Sequence, residues 1–153
     1  GVSYEDQHNY ERAHAEYQLA IEGGLIEAYN NQARLYILQG NYDAAVSLLR
    51  IGLELAKDDR MRADMYKNRG WARLEQGRYA EAQLDLTEAI KLKSEHAPAH
   101  CLLAQVLERD RNQKNALSEW EKCLGFAYHP NTPEEDKLVH LARQRLQAER
   151  GGK

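Results

Sequence analysis

The chain has 153 residues, enough for one domain with a continuous core or for a short solenoid. With 42% hydrophobic and 29% charged residues and only 3 Pro, its composition suits a soluble helical protein and excludes a disordered one. A net charge of −3 leaves no electrostatic footprint for nucleic acid, and no apolar run approaches the ~18 residues that span a bilayer.

In chain order, residues 1–7 predict one short helix, and His8-Asn9 turns into a second, YERAHAEYQLAIEGG. There Tyr10, Ala13, Tyr17, Ala20 and Ile21 form one apolar stripe, and Gly23-Gly24 ends it. IEAYNNQARLYILQ follows, with Tyr29, Ala33 and Tyr36 on one face. Gly40-Asn41 turns the chain into YDAAVSLLRIGLELA, with Tyr42, Ala45, Leu49 and Gly52. A mid-helix glycine costs roughly 1 kcal/mol relative to alanine, so Gly52 predicts a close helix approach. Lys57-Asp58-Asp59-Arg60 reads as a charged linker.

The clearest stretch runs from Ala63 to Leu92, two amphipathic helices joined at Gln76-Gly77-Arg78. Tyr66, Gly70, Arg73 and Leu74 lie near one seam; Tyr79, Ala82, Leu86, Ala89 and Ile90 make the facing stripe. Small residues beside large ones are what ridge-into-groove packing requires. A further pair opens with Pro98 in a first helical turn and carries Leu103, Ala104 and Leu107, then Ala116, Trp120 and Cys123, across a polar turn at Asp110-Arg111-Asn112. In the tail, Thr132 reads as an N-cap, Pro133 as the first helical residue and Glu135 as the return arm of a capping box. Leu138, Leu141, Ala142 and Leu146 give this helix one apolar stripe and leave its other side polar, as the cap of a repeat stack must be.

The alanines opening each second helix fall at 13, 45, 82 and 116, giving intervals of 32, 37 and 34 residues, with the deviations expected in the linkers. This recurrence resembles the tetratricopeptide repeat, whose 34-residue signature is W-x2-L-G-x2-Y, A-x3-F, P. Gly70 and Ala82 match it outright, and Tyr66 and Leu86 are tolerable replacements. Arg69 and Arg73 depart from it, and Ser94 stands where proline is usual. The resemblance implies an all-α, right-handed α-solenoid of antiparallel helix pairs with a C-terminal capping helix. The divisions are 1–24 (a partial first repeat), 25–60, 61–96, 97–130 and a capping helix and tail over 131–153. The first unit lacks its opening helix, so the chain is expected to be an excised module of a larger multidomain protein.

Little in the sequence can carry chemistry. No phosphate loop, nucleophile elbow or HExxH motif is present, so neither an enzyme nor a cofactor is expected. His96 and His100 have a metal-ligand spacing, but Pro98 lies between them; a surface His96 and a seam His100 are expected instead. Cys101 and Cys123 fall on apolar faces and read as reduced, packed thiols, with a disulfide or reactive thiol as the alternative, consistent with a cytoplasmic protein.

What remains is a surface. In the family resembled, the first helices line a concave groove that receives a peptide. That implies a partner-binding set of Asn30, Asn31, Arg34, Lys67, Asn68, Trp71, Gln105 and Arg109, with Glu27, Asp64, Glu75, Cys101 and Glu108 beside them. An amide bonds a backbone in both senses, Arg34 pairs with a carboxylate and Trp71 serves as an aromatic anchor. Asn31 and Asn68 alternatively brace neighbouring helices, and an adjacent helix alternatively covers Trp71. The basic residues of a chaperone-tail clamp are missing in either register. The expected function is therefore a protein–protein interaction scaffold for a protein or peptide partner, without nucleic acid or membrane. The alternative is self-association as a homodimer through the truncated N-terminal end. Whether the groove is open or holds the helix from Pro133 to about Arg150 is left open by the sequence.

Overall fold

The computed structural model describes residues 4–127 and 132–151, with side chains from residue 6 onward. Eight α-helices carry them: α1 (Tyr4–Glu22), α2 (Glu27–Leu38), α3 (Tyr42–Leu55), α4 (Asp59–Glu75), α5 (Tyr79–Leu92), α6 (Ala97–Arg109), α7 (Gln113–Phe126) and α8 (Pro133–Gly151). The turn expected at His8-Asn9 does not occur, and α1 runs through both residues. Neither residue forbids helical dihedrals, and their propensity deficit is only a few tenths of a kcal/mol each.

Three helical hairpins, α2–α3, α4–α5 and α6–α7, are each closed by a turn of the same design. The amide of Asn41 bonds the Tyr36 carbonyl at 2.8 Å while Gly40 bonds Ile37 at 3.0 Å, the paired bonds of a Schellman cap. Arg78 and Gly77 repeat the arrangement on Arg73 and Leu74, and Asn112 and Arg111 repeat it on Leu107 and Glu108. The left-handed residue is glycine in two of the turns, Gly40 at φ +82° and Gly77 at φ +78°, and Arg111 at φ +59° in the third. Repeat geometry has overridden side-chain preference there.

The 37-residue interval has a different origin from the linker insertion expected. Asp58 accepts from the Arg60 amide at 2.7 Å and caps α4, so the charged stretch is the start of a helix. The extra residues lie in α4, which has 17 residues against 12 in α2 and 13 in α6.

Helix spacing follows from the small residues. A Cβ on Gly70 would stand 2.7 Å from Leu86 Cγ, so only glycine lets α4 lie this close to α5. At Gly52 a Cβ would meet Met65 Cε at 3.1 Å and Tyr29 Cβ at 3.2 Å, the close approach that its mid-helix place predicts. Arg69 and Arg73, the departures from the repeat signature, both reach Asp85 on α5, at 2.8 and 2.7 Å. One carboxylate, 3% exposed, thus replaces an apolar contact with a charged one.

Two expectations are corrected in the α6–α7 hairpin. Cys101 and Cys123 form a disulfide tying α6 to α7, with Cα atoms 4.8 Å apart, rather than two reduced thiols. They stand equally far from the turn residue Asn112, which is why antiparallel helices bring them face to face. The cysteines therefore give no argument for a reducing compartment. His96 is buried rather than on the surface: its Nδ1 accepts from the Ala99 amide at 3.3 Å, capping α6, while Nε2 donates to Asp64 at 2.7 Å. His100 occupies a seam as expected, between Glu119 and the Ser94 carbonyl.

The first helices form the inner layer of the stack. α2 packs on α4 and α4 on α6, whereas α3, α5 and α7 stand farther apart, with no Cα atoms within 8 Å of one another among the described residues. Closer spacing on one side curves the stack, so α2, α4 and α6 line its concave face. At the end, Val139 and Ala142 of α8 are buried, and Ala142 joins Trp120 and the disulfide in one cluster. The amide of Glu135 donates to Thr132 Oγ1 at 3.2 Å, the N-cap expected for that helix.

Candidate functional site

The 37- and 34-residue intervals make Arg34, Trp71 and Gln105 equivalent positions on α2, α4 and α6, so the repeat itself aligns them across the concave face. Arg34 sits at the α2 end of this row. Its Nε and Nη2 both donate to Glu134 in the first turn of α8, the latter at 2.9 Å. A bidentate guanidinium–carboxylate pair fixes orientation as well as charge. Burial alone would raise the Glu134 carboxyl, but the hydrogen bond from Arg34, the backbone amide at the α8 N-terminus and the Arg34 charge outweigh it, holding the group below its ordinary value. The same hydrogen bond raises the Arg34 pKa against the opposing effect of burial.

In the middle of the row, half-buried Trp71 lines a cavity of about 210 Å³ together with Leu102, Gln105 and, from α8, Leu138. Lys67 lines it as well. Burial lowers the Lys67 pKa, opposed by the charges of Asp64, Glu135 and Glu134. At the far end, Arg145 of α8 donates to Glu108 at 2.8 Å. The chain's own last helix therefore packs on α6 and α7 and reaches the concave face through side chains at both ends of the row.

The other expected groove residues separate into two groups. Asn68 is 2% exposed; its Nδ2 donates to Asn30 Oδ1 and its Oδ1 accepts from Lys67 Nζ, each at 2.8 Å. This amide relay ties α4 to α2. Asn31, Arg109, Glu27 and Glu75 are exposed. Cys101 is not a groove residue at all but lies in the disulfide under α8. Asp64 points to His96.

Sequence reasoning missed Glu134, Leu138 and Arg145 as groove contacts. They lie on one helical stripe, and the acid at its start and base at its end were available signals. An acidic first turn is also ordinary helix chemistry, which hid the first of them. Among the described residues no group of three potential metal ligands occurs, and no helix is long and apolar enough to cross a membrane.

Residues 24–95, which span α2 to α5, match a family model described as tetratricopeptide repeat. No curated protein matches the chain in sequence. Among solved structures, the chain is similar to the first TPR of Spaghetti (RPAP3) bound to the HSP90 peptide SRMEEVD, with 20% identity and a TM-score of 0.63 over 80% of this chain and 95% of that one. It is also similar to MamA, at 19% identity and a TM-score of 0.68 over 94% of this chain and 85% of that one. The translocator chaperone SycD of Yersinia enterocolitica is similar at 19% identity and a TM-score of 0.68, over 80% and 89% of the two chains. At these identities the likeness is one of fold.

Proposed function

Because the chain carries tetratricopeptide repeats over residues 24–95, we propose that it is a protein-interaction scaffold that receives a partner segment on the concave face of α2, α4 and α6. The observation that carries this reading is the row of Arg34, Trp71 and Gln105, a cation, an aromatic anchor and an amide, of which Trp71 and Gln105 line a cavity large enough for one bulky side chain. Tetratricopeptide domains seen with bound HSP90 and HSP70 peptides support a peptide-binding role at the level of the fold. Chaperone tails are not the ligand proposed, because the register around Asn31 and Asn68 lacks the clamp cations.

The test is a capture experiment with the unaltered chain beside Arg34→Glu/Trp71→Ala, which alters the row but spares the Asn30–Asn68 relay. Matching circular dichroism of the two chains is its precondition. A partner held by the first and lost by the second supports the groove. Equal capture by both moves the site elsewhere. Self-association is the second reading, favoured by Leu19 on α1, which is 69% exposed near the end of the stack. Light scattering that gives a dimer abolished by Leu19→Lys would favour it.

A further inference from the structure

Along α8, Glu134, Leu138, Leu141 and Arg145 follow an i, i+4, i+7, i+11 spacing, which keeps them on one side of the helix over about 16 Å. Three of the four meet groups of matching chemistry on the concave face. Glu134 takes both edges of the Arg34 guanidinium, and Leu138 enters the Trp71–Leu102–Gln105 cavity wall. Arg145 Nε reaches both oxygens of Glu108, at 3.2 and 2.8 Å. The two charge pairs have opposite polarity at opposite ends, so the surface discriminates a helix from the same helix reversed. A helix that only covered the end of the stack would need the apolar contacts made by Val139 and Ala142, and no bidentate contact reaching as far as α2.

We propose that this stripe of α8 is a built-in copy of the partner. The concave face receives an amphipathic helix of another protein that presents an acid, a large apolar residue four positions later and a base eleven positions later, and that helix replaces α8. The inference rests on the groove reading above and names its ligand class. With α8 seated, the closed population lowers the apparent affinity for the partner; a variant that unseats α8 raises it.

The test uses the full chain and a fluorescein-labelled peptide of residues 132–151, followed by anisotropy. A chain carrying Glu134→Arg and Arg145→Glu repels its own α8 at both ends of the row. It is expected to bind the native peptide about tenfold more tightly than the unaltered chain does. A chain carrying Arg34→Glu is expected to reverse the preference, taking a peptide with Glu134→Arg over the native one. If the double variant fails to fold by circular dichroism, the Arg34→Glu comparison carries the test alone. Equal binding of native and charge-altered peptides would overturn recognition by the row while leaving the groove as a binding surface. Binding of neither peptide to either variant would overturn the inference as well. A dimer of the unaltered chain that the native peptide dissociates would assign the site to α8 of a second copy, and would overturn the external partner.

Discussion

Asp85 holds two guanidiniums, Arg69 at 2.8 Å and Arg73 at 2.7 Å, in a place where the repeat signature has apolar residues. Asp85→Ala leaves both cations partly buried without their carboxylate, so we predict a loss on the order of 3 kcal/mol in urea unfolding. A measured loss under about 1 kcal/mol would mean that solvent satisfies them. Glycine makes a second residue-scale contrast. Gly70→Ala forces the buried Leu86 to move, costing about 1–3 kcal/mol against a propensity gain of about 1, and is predicted to destabilise. Gly52→Ala meets the end of a flexible methionine and, at 3.2 Å, Tyr29 Cβ, so it is predicted to cost less than Gly70→Ala. Denaturation midpoints of the two variants check this, and the reverse order would contradict it. Both glycines were legible in the sequence as interface positions because each interrupts a helix that otherwise favours larger residues. Asp85 was not legible, because periodicity marks a residue's side of its helix but not the partner across the seam.

At the scale of elements, the repeat signature predicted the hairpins well, and its failures have specific causes. α1 continues through His8-Asn9 because no glycine or proline stops it, and α4 starts at Asp59 because Asp58 caps it. The Cys101–Cys123 pairing needed the α6–α7 register, which two cysteines 22 residues apart do not reveal without the turn position. α8 was recognisable as a cap from Thr132 and its apolar stripe, but its hold on the groove was not. That hold depends on pH. The Glu134 carboxyl is depressed in the folded chain, so its contribution is fully present above the ordinary value of 4.5 and is lost as pH falls through the lower folded value. Arg34 stays charged throughout, and Lys67 faces the same carboxylate. Acidification well below the ordinary carboxyl value of 4.5 is therefore predicted to release the first turn of α8, read as faster amide exchange at residues 134–138. Asp64 and Glu119 are depressed as well, by hydrogen bonds and charge from His96 and His100 that exceed the opposing effect of burial. The control is Glu134→Gln, whose α8 should already exchange fast at neutral pH. An acid-induced step of the same size in that variant would refute the assignment to Glu134.

At the scale of the whole molecule, the proposed function lies where the stack curves. Because first helices lie closer to one another than second helices do, equivalent residues line up across the concave side, and one position per repeat becomes a row. Arg34, Trp71 and Gln105 could be named from the sequence for this reason alone. The arrangement that makes the row specific, α8 lying along it with an acid at one end and a base at the other, depends on a fold-back that no local pattern encodes. The central claim is that a partner is bound on this row. Trp71 tests it directly in a Trp120→Phe chain, because Trp71 is half-buried in the cavity while the other tryptophan, Trp120, is fully buried beneath α8 and would report its displacement instead. The decisive measurement is tryptophan emission during titration with the partner segment isolated by capture, with calorimetry establishing saturation. A saturable spectral shift that disappears with Arg34→Glu is the predicted result. Calorimetric binding with unchanged emission would put the partner elsewhere on the molecule and contradict the account.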